Sequence, residues 1–197
     1  MSARPAIGET FLLSPAARRW HDEKILADPG ASSDVELTVF VSCYNEAHFI
    51  VQTFDDIRQA LDPLGITYEV VVIDDCSTDG SPELIADYVA KHPDIPMVLR
   101  RNGVNKGLAQ NYVDAAFIGR GKYIKLFCGD NTEPIESIRA ICRHIGDADI
   151  VSPYYSSVAG KPQSRMLISR AYTALVNMIT GNRLRYYNGL AVHRRYN

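Results

Sequence analysis

The chain has 197 residues, of which 46% are hydrophobic and 22% charged, with a formal net charge of −2. That length suffices for one domain with a real core and no disulfide scaffold, and the charge gives no footprint for nucleic acid or for an anionic membrane. No uninterrupted apolar run reaches the about 20 residues that a membrane span needs, and the polar, charged stretch from Ser14 to Lys24 does not fit a signal peptide.

Residues 1–34 read as an N-terminal extension and linker, with room for one short helix before the turn-rich stretch Asp28-Pro29-Gly30-Ala31-Ser32-Ser33-Asp34. From Val35 onward, strand and helix signals alternate. Val35 to Val41 is apolar and rich in β-branched residues, as a buried strand should be. Asn45 and Glu46 are placed to cap a following helix, whose apolar residues Ile50, Phe54, Ile57 and Leu61 recur at helical spacing until Pro63 and Gly65 stop it. Glu69 to Ile73 is a second buried strand. Ser81-Pro82-Glu83 opens a helix with proline where its missing N–H costs nothing, and Leu84, Ile85 and Val89 form its expected buried stripe.

Met97 to Leu99 follows as a third strand, Gly107 to Gly119 as a helix, and Tyr123 to Phe127 as a fourth strand. Pro134 to Ile145 reads as a helix with Ile135, Ile138, Ile141 and Ile145 inward, and Asp149 to Val151 begins a fifth strand. Residues 163–180 form a longer amphipathic helix through Leu167, Ala171, Leu175 and Met178, before a strand-like Gly189 to His193. Apolar strands separated by helices predict an α/β fold with a mostly parallel sheet covered on both faces. The final strand sits so close to Asn197 that the 35–197 domain reads as truncated at its C-terminal end.

The four cysteines, Cys43, Cys76, Cys128 and Cys142, form no Cys-x-x-Cys pair, and the histidines lack zinc-ligand spacing. Reduced, compact, buried thiols are expected, although three of them directly follow predicted strands. In parallel sheets, ligands bind outside the carboxyl ends of the strands. Three polar clusters fall there: Ser42-Cys43-Tyr44-Asn45-Glu46, Asp74-Asp75-Cys76-Ser77-Thr78-Asp79-Gly80 and Cys128-Gly129-Asp130-Asn131. An isolated Asp-Asp pair would read as a solvated turn, but convergence of three clusters favours a site. Neither the dinucleotide Gly-x-Gly-x-x-Gly string nor the Gly-x-x-x-x-Gly-Lys-[Ser/Thr] phosphate loop occurs.

The segments Val41-Ser42-Cys43-Tyr44-Asn45-Glu46, Val72-Ile73-Asp74-Asp75-Cys76-Ser77-Thr78-Asp79-Gly80-Ser81 and Gly121 to Asp130 resemble glycosyltransferase family 2, nearest its dolichyl-phosphate mannosyltransferase-like branch. The resemblance runs from about Leu37 to Arg195 and implies a GT-A fold and inverting sugar transfer from a UDP- or GDP-sugar with Mg²⁺ or Mn²⁺. It assigns Cys43, Tyr44, Glu46, Asp74, Asp75 and Gly107 to the donor nucleotide and Asp130 to the metal. Gly107 enters through Asn105-Lys106-Gly107-Leu108, which resembles a turn beside the nucleotide, although an ordinary helix start also explains those residues.

Two departures stand out. Cys128 replaces the first carboxylate of the Asp-x-Asp motif, and Arg185 stands where an acidic residue is usual, so no general base is assigned. The basic C-terminal third, with Arg165, Asn188 and Arg194 as acceptor candidates, suits a hydroxyl or polyprenyl-phosphate acceptor. The implied location is the cytoplasm, or the cytoplasmic face of a membrane. A non-catalytic nucleotide-sugar-binding module is the alternative. A nucleotidyltransferase is disfavoured because Ser42 to Phe49 contains no Arg or Lys.

Overall fold

Residues 10–18, 34–153, 163–187 and 189–195 are described in a computed structural model of the chain, which has a seven-stranded mixed sheet in the order β1-β4-β3-β2-β5-β7-β6. The strands are β1 (Thr10–Leu13), β2 (Leu37–Cys43), β3 (Tyr68–Asp74), β4 (Met97–Arg101), β5 (Tyr123–Cys128), β6 (Ile150–Val151) and β7 (Val192–Arg194). The helices are α1 (Ile50–Leu61), α2 (Ser81–Lys91), α3 (Leu108–Ile118), α4 (Ile135–Cys142) and α5 (Gln163–Thr180).

Strands β4, β3, β2 and β5 run parallel, while β1 joins β4, β7 joins β5 and β6 joins β7 in antiparallel pairs. The expected fifth strand therefore runs against its neighbour. The N-terminal extension also contributes: Thr10–Leu13 pairs along β4, and residues 15–18 are helical.

Alternation along the central strands fills both faces. Leu37, Val39, Val41, Val70 and Val72 enter one cluster with Ile50, Phe54, Ile57, Ile85 and Ile138 from α1, α2 and α4. Phe40, Val71, Ile73, Ile124 and Leu126 enter the other, against Ala115 of α3. Burying each large aliphatic or aromatic side chain contributes about 1.5–3 kcal/mol, so these two layers provide the main stabilisation of the sheet.

The predicted stripe of α1 is buried throughout, and α1 gives way to a 3₁₀ turn at Asp62–Leu64 and a left-handed Gly65. On α2 the expectation needs correcting. Leu84 is 37% exposed, and beyond the first turn the buried residues are Ile85, Tyr88 and Val89, because the helix turns its 85–88–89 edge to the core. Helix α5 spans residues 163–180 as expected, but Leu167, Leu175 and Met178 are exposed. No helix among the described residues is long and apolar enough to cross a membrane.

The turn from α3 into β5 is clasped to β2. Glu69 is buried and accepts hydrogen bonds from Thr38 Oγ1 at 2.8 Å, from the Arg120 amide and from Gly121 N at 3.2 Å. Gly121 N also donates to Thr38 Oγ1 at 2.9 Å. The chain passes so close here that a Cβ on Gly121 would stand 2.2 Å from Thr38 N and 2.6 Å from Leu37 C. Both obstacles are backbone atoms of a central strand, which cannot yield as a side-chain end could. Gly121→Ala is therefore expected to destabilise the fold by about 3 kcal/mol, a fall in Tm of roughly 6–12 °C. Thermal unfolding followed by circular dichroism checks this; an unchanged Tm would show that the turn does not press on β2.

Candidate functional site at the strand ends

The chain leaves β2 towards β3 and β4 on one side and returns to β5 on the other, so the strand order reverses between β2 and β5. A crevice opens outside the carboxyl ends of two such strands because their connections depart in opposite directions. The loops after Cys43 and Cys128 border it. Ser42 stands opposite Cys128 in register, and Gly129 N donates to Ser42 O at 2.9 Å, which ties the two strand ends together. A Cβ at Gly129 would lie 3.0 Å from Ser42 O and 3.2 Å from Glu46 Cγ, so the Glu46 side chain lies over the backbone that leads to Asp130.

The loops after β2 and β3 are laced by side chains that satisfy backbone N–H groups. Asn45 N donates to Ser77 Oγ, Glu46 N to Ser81 Oγ and Ala47 N to Asp79 Oδ2, each at 2.9 Å. In return, Thr78 N donates to Asn45 Oδ1 at 2.9 Å. Asn45 and Glu46 thus do not cap α1 with their side chains; its N-cap is Phe49, and no side chain caps it. Asn45 is engaged across the crevice edge instead. Among the described residues, the non-glycine residues with left-handed backbones are Asn45 (φ 58°), Cys76 (φ 70°) and Asn131 (φ 54°), one in each strand-end loop. Such conformations persist where surrounding contacts enforce them, and they concentrate at functional sites.

Asp74 and Asp75 have different surroundings. Asp75 is 5% exposed and accepts from Asn102 Nδ2 at 2.7 Å and from the backbone N–H groups of Lys106 and Gly107 at 2.8 Å. Burial alone would raise its pKa, but these hydrogen bonds reverse the effect and hold the carboxyl below its ordinary value. Gly107, with φ 80°, is the N-cap of α3, so Asp75 shapes the 102–107 loop and the start of that helix. Asp74 is 1% exposed, and its Oδ1 has no hydrogen-bond partner among the described residues. Its Oδ2 takes a long bond of 3.4 Å from Ser77 N and lies 3.9 Å from Arg101 Nε. Burial pushes its carboxyl pKa up.

Beyond Gly129, Asp130 Oδ1 accepts from Thr132 Oγ1 at 2.9 Å and from Thr132 N at 3.3 Å. The Glu46 pKa is raised by burial, then by the charges of Asp130 and Asp79. A cation beside Asp130 would relieve the charge penalty on Glu46. Tyr44, directly after β2, is 53% exposed. Cys43 is buried, and burial followed by the Asp74 charge pushes its thiol to about 11. Cys128 is half-buried, with its pKa raised first by burial. Cys43 thus fits the expected inert thiol, whereas Cys76 and Cys128 are only partly covered.

The structure does not bring the acceptor candidate Arg194 to this edge. Arg194 stands opposite Tyr123, at the amino end of β5, where it pairs with Asp149 at 3.0 Å. Five residues of strand, about 16 Å, separate it from Cys128. The Arg165 side chain and Asn188 lie outside the described residues.

Several residues that shape the site carry no strong sequence signal. Asn102 Nδ2 also reaches Asn111 Oδ1 at 2.8 Å, Arg100 Nε donates to Asn102 Oδ1 at 3.1 Å, and Arg100 Nη2 meets Asp114 Oδ2 at 2.5 Å. This buried network supports the Asp75 loop from below. The signal available was an arginine and an asparagine at the end of an apolar strand. Lys125 is likewise fully buried within β5.

Comparison with known proteins agrees with this geometry. The family model of Glycosyl transferase family 2 matches residues 38–195. A dolichyl-phosphate beta-glucosyltransferase of Trichomonas vaginalis is 25% identical over 167 residues, covering 82% of this chain and 46% of the relative. Among solved structures, a mannosyltransferase from Pyrobaculum calidifontis in complex with GDP-Man and Mn²⁺ superposes with a TM-score of 0.56 at 25% identity, covering 79% of this chain and 46% of that one. S. aureus TarS 1-349 in complex with UDP-GlcNAc gives a TM-score of 0.57 at 18% identity, covering 82% and 46%. The chain thus spans less than half the length of each of these proteins. The GT-A sheet, the reversal between β2 and β5 and the match over residues 38–195 agree: the chain belongs to glycosyl transferase family 2.

Proposed function

We propose that the chain transfers a sugar, with inversion, from a UDP- or GDP-sugar to a hydroxyl or polyprenyl-phosphate acceptor, with Mg²⁺ or Mn²⁺ held at Asp130. The observation that carries the reading is the Glu46 side chain lying over the Gly129 backbone, one residue before Asp130, at the reversal between β2 and β5.

The donor set fits a hard divalent cation. Magnesium sites commonly use one or two protein carboxylates completed by substrate phosphates and water. Asp130 directs one oxygen to Thr132 and retains the other, and Glu46 stands close enough for its charge to be penalised by Asp130. When bound, such an ion supplies positive charge to the departing diphosphate. Asp130 is the ligand in this reading, and Glu46 balances the charge beside it.

The remaining residues divide between binding and shaping. Tyr44, exposed directly after β2, is the aromatic residue available to the base or ribose. Asp74 Oδ1, buried with no partner among the described residues, has capacity for a nucleoside N–H or O–H. Asp75 acts on the same ligand through the 102–107 loop, whose amides it holds. Inversion follows from a single displacement: the acceptor oxygen attacks the anomeric carbon as the bond from that carbon to the diphosphate oxygen breaks; a hydroxyl acceptor also gives up its proton to a base, whereas a phosphate acceptor attacks as the anion.

Asp130→Asn is expected to remove the Mn²⁺ dependence of UDP or GDP affinity while leaving the fold intact, because an amide lacks the charge the ion requires. Loss of such a charge-assisted contact corresponds to roughly 10- to 150-fold in affinity. Isothermal titration with and without Mn²⁺ measures it, and an unchanged metal dependence would remove Asp130 from the site.

Asp74→Ala is expected to weaken nucleoside monophosphate and nucleotide-sugar alike, by about 1–3 kcal/mol. If only diphosphate ligands lose affinity, Asp74 belongs with the cation and not with the nucleoside.

A further inference from the structure

Lys125 is the least expected residue in the molecule. It lies on β5, the strand that delivers Cys128, Gly129 and Asp130 to the crevice, and its side chain is 0% exposed. Its Nζ donates to Glu133 Oε2 at 2.8 Å and to the carbonyl oxygens of Leu126 and Leu190 at 3.4 and 3.3 Å. It also stands 4.3 Å from the centroid of the Phe127 ring. Taking an ammonium and a carboxylate out of water is costly, and apolar residues of similar volume often stabilise a fold as well or better. A residue chosen for packing alone would not be lysine.

What the pair fixes is direction. Glu133 follows Asp130 by three residues, across the left-handed Asn131. The near end of this turn is held by Gly129 N on Ser42 O at 2.9 Å and by Thr53 Oγ1 on Gly129 O at 3.0 Å. Asn131 Nδ2 reaches Asp56 Oδ2 at 3.2 Å in its middle. The far end is held by Lys125 through Glu133. The same ammonium touches Leu190 in the segment entering β7, so one buried charge joins the Asp130 turn to the C-terminal part of the sheet.

We propose that Lys125 and Glu133 are a buried positioning pair, which fixes the 129–133 turn and thereby aims the Asp130 carboxylate at the donor site. The inference rests on the reading of Asp130 as the cation ligand. Residues that orient metal ligands typically influence metal affinity by roughly 10–100-fold when altered. The pair acts through Asp130 and touches no reacting atom.

The test compares the wild type with Lys125→Met, with the double variant Lys125→Met/Glu133→Leu, and with Glu133→Gln. The single Lys125→Met variant leaves the Glu133 carboxylate buried and alone, so its Tm falls; the double variant removes both charges and recovers Tm towards the wild type. If the pair positions the turn, the recovered double variant still shows amide exchange across 129–133 faster by on the order of tenfold, measured without metal. Its Mn²⁺-dependent gain in UDP or GDP affinity also falls roughly 10–100-fold. Glu133→Gln, which retains an acceptor for the ammonium, shifts both readouts in the same direction and answers the question should the double variant not fold. Wild-type exchange and wild-type Mn²⁺ dependence in either variant would overturn the proposal, leaving the pair as packing alone. Absence of any Mn²⁺ dependence in the wild type would overturn the cation reading itself, while unchanged exchange would still count separately against the pair.

Discussion

Everything at the crevice depends on β2 being paired in parallel on both sides, with β3 along residues 37–43 and with β5 along residues 37–42. Because the chain reaches β3 and β5 by connections that leave in opposite directions, the loops after Cys43 and Cys128 diverge and leave space between them. The strands themselves are held in register by two buried apolar layers, one formed with α1, α2 and α4 and the other with α3. The hydrogen bond from Gly129 N to Ser42 O then brings the second loop back onto the first. Only glycine allows that approach without displacing Ser42 O or Glu46, so the residue before Asp130 is constrained by sheet geometry as much as by chemistry.

The polar residues at this edge fall into two groups. Asn45, Ser77, Asp79, Ser81 and Asp75 have backbone N–H groups as partners, and they make the loops what they are. Asp130, Glu46, Tyr44 and Asp74 Oδ1 retain capacity that the fold does not consume. The proposed binding roles come from the second group. An acidic residue near a ligand is informative only after its existing hydrogen bonds are counted, and Asp74 and Asp75 illustrate this. Adjacent in sequence and both buried, they have pKa shifts of opposite sign because one is surrounded by donors and the other is not.

The parts of this arrangement visible in the sequence are those with local causes. Apolar periodicity located β2, β3 and α1 because burial repeats at short spacing within each element, and helical spacing alone located the 163–180 helix, whose stripe is exposed. The strand-end clusters were recognisable because a parallel sheet places such residues along one edge. What escaped the sequence has non-local causes. Thr10–Leu13 is a four-residue edge strand whose partner lies some ninety residues away, so nothing nearby distinguishes it from a linker. Asn45 resembled a helix cap because its role depends on Thr78, a residue of another loop. Leu84 looked buried on composition, although the helix turns it outward. Lys125 interrupted an apolar strand with no local sign that Glu133 would meet it inside.

The most direct test of this account is a crystal structure of the protein grown with UDP or GDP and Mn²⁺, with anomalous diffraction recorded at the manganese edge. The account predicts an anomalous peak in the crevice between β2 and β5, within coordinating distance of the Asp130 carboxylate, with the nucleoside lying towards Tyr44 and Asp74. A nucleotide bound elsewhere, or bound in this crevice with manganese ligated by other residues, would contradict it.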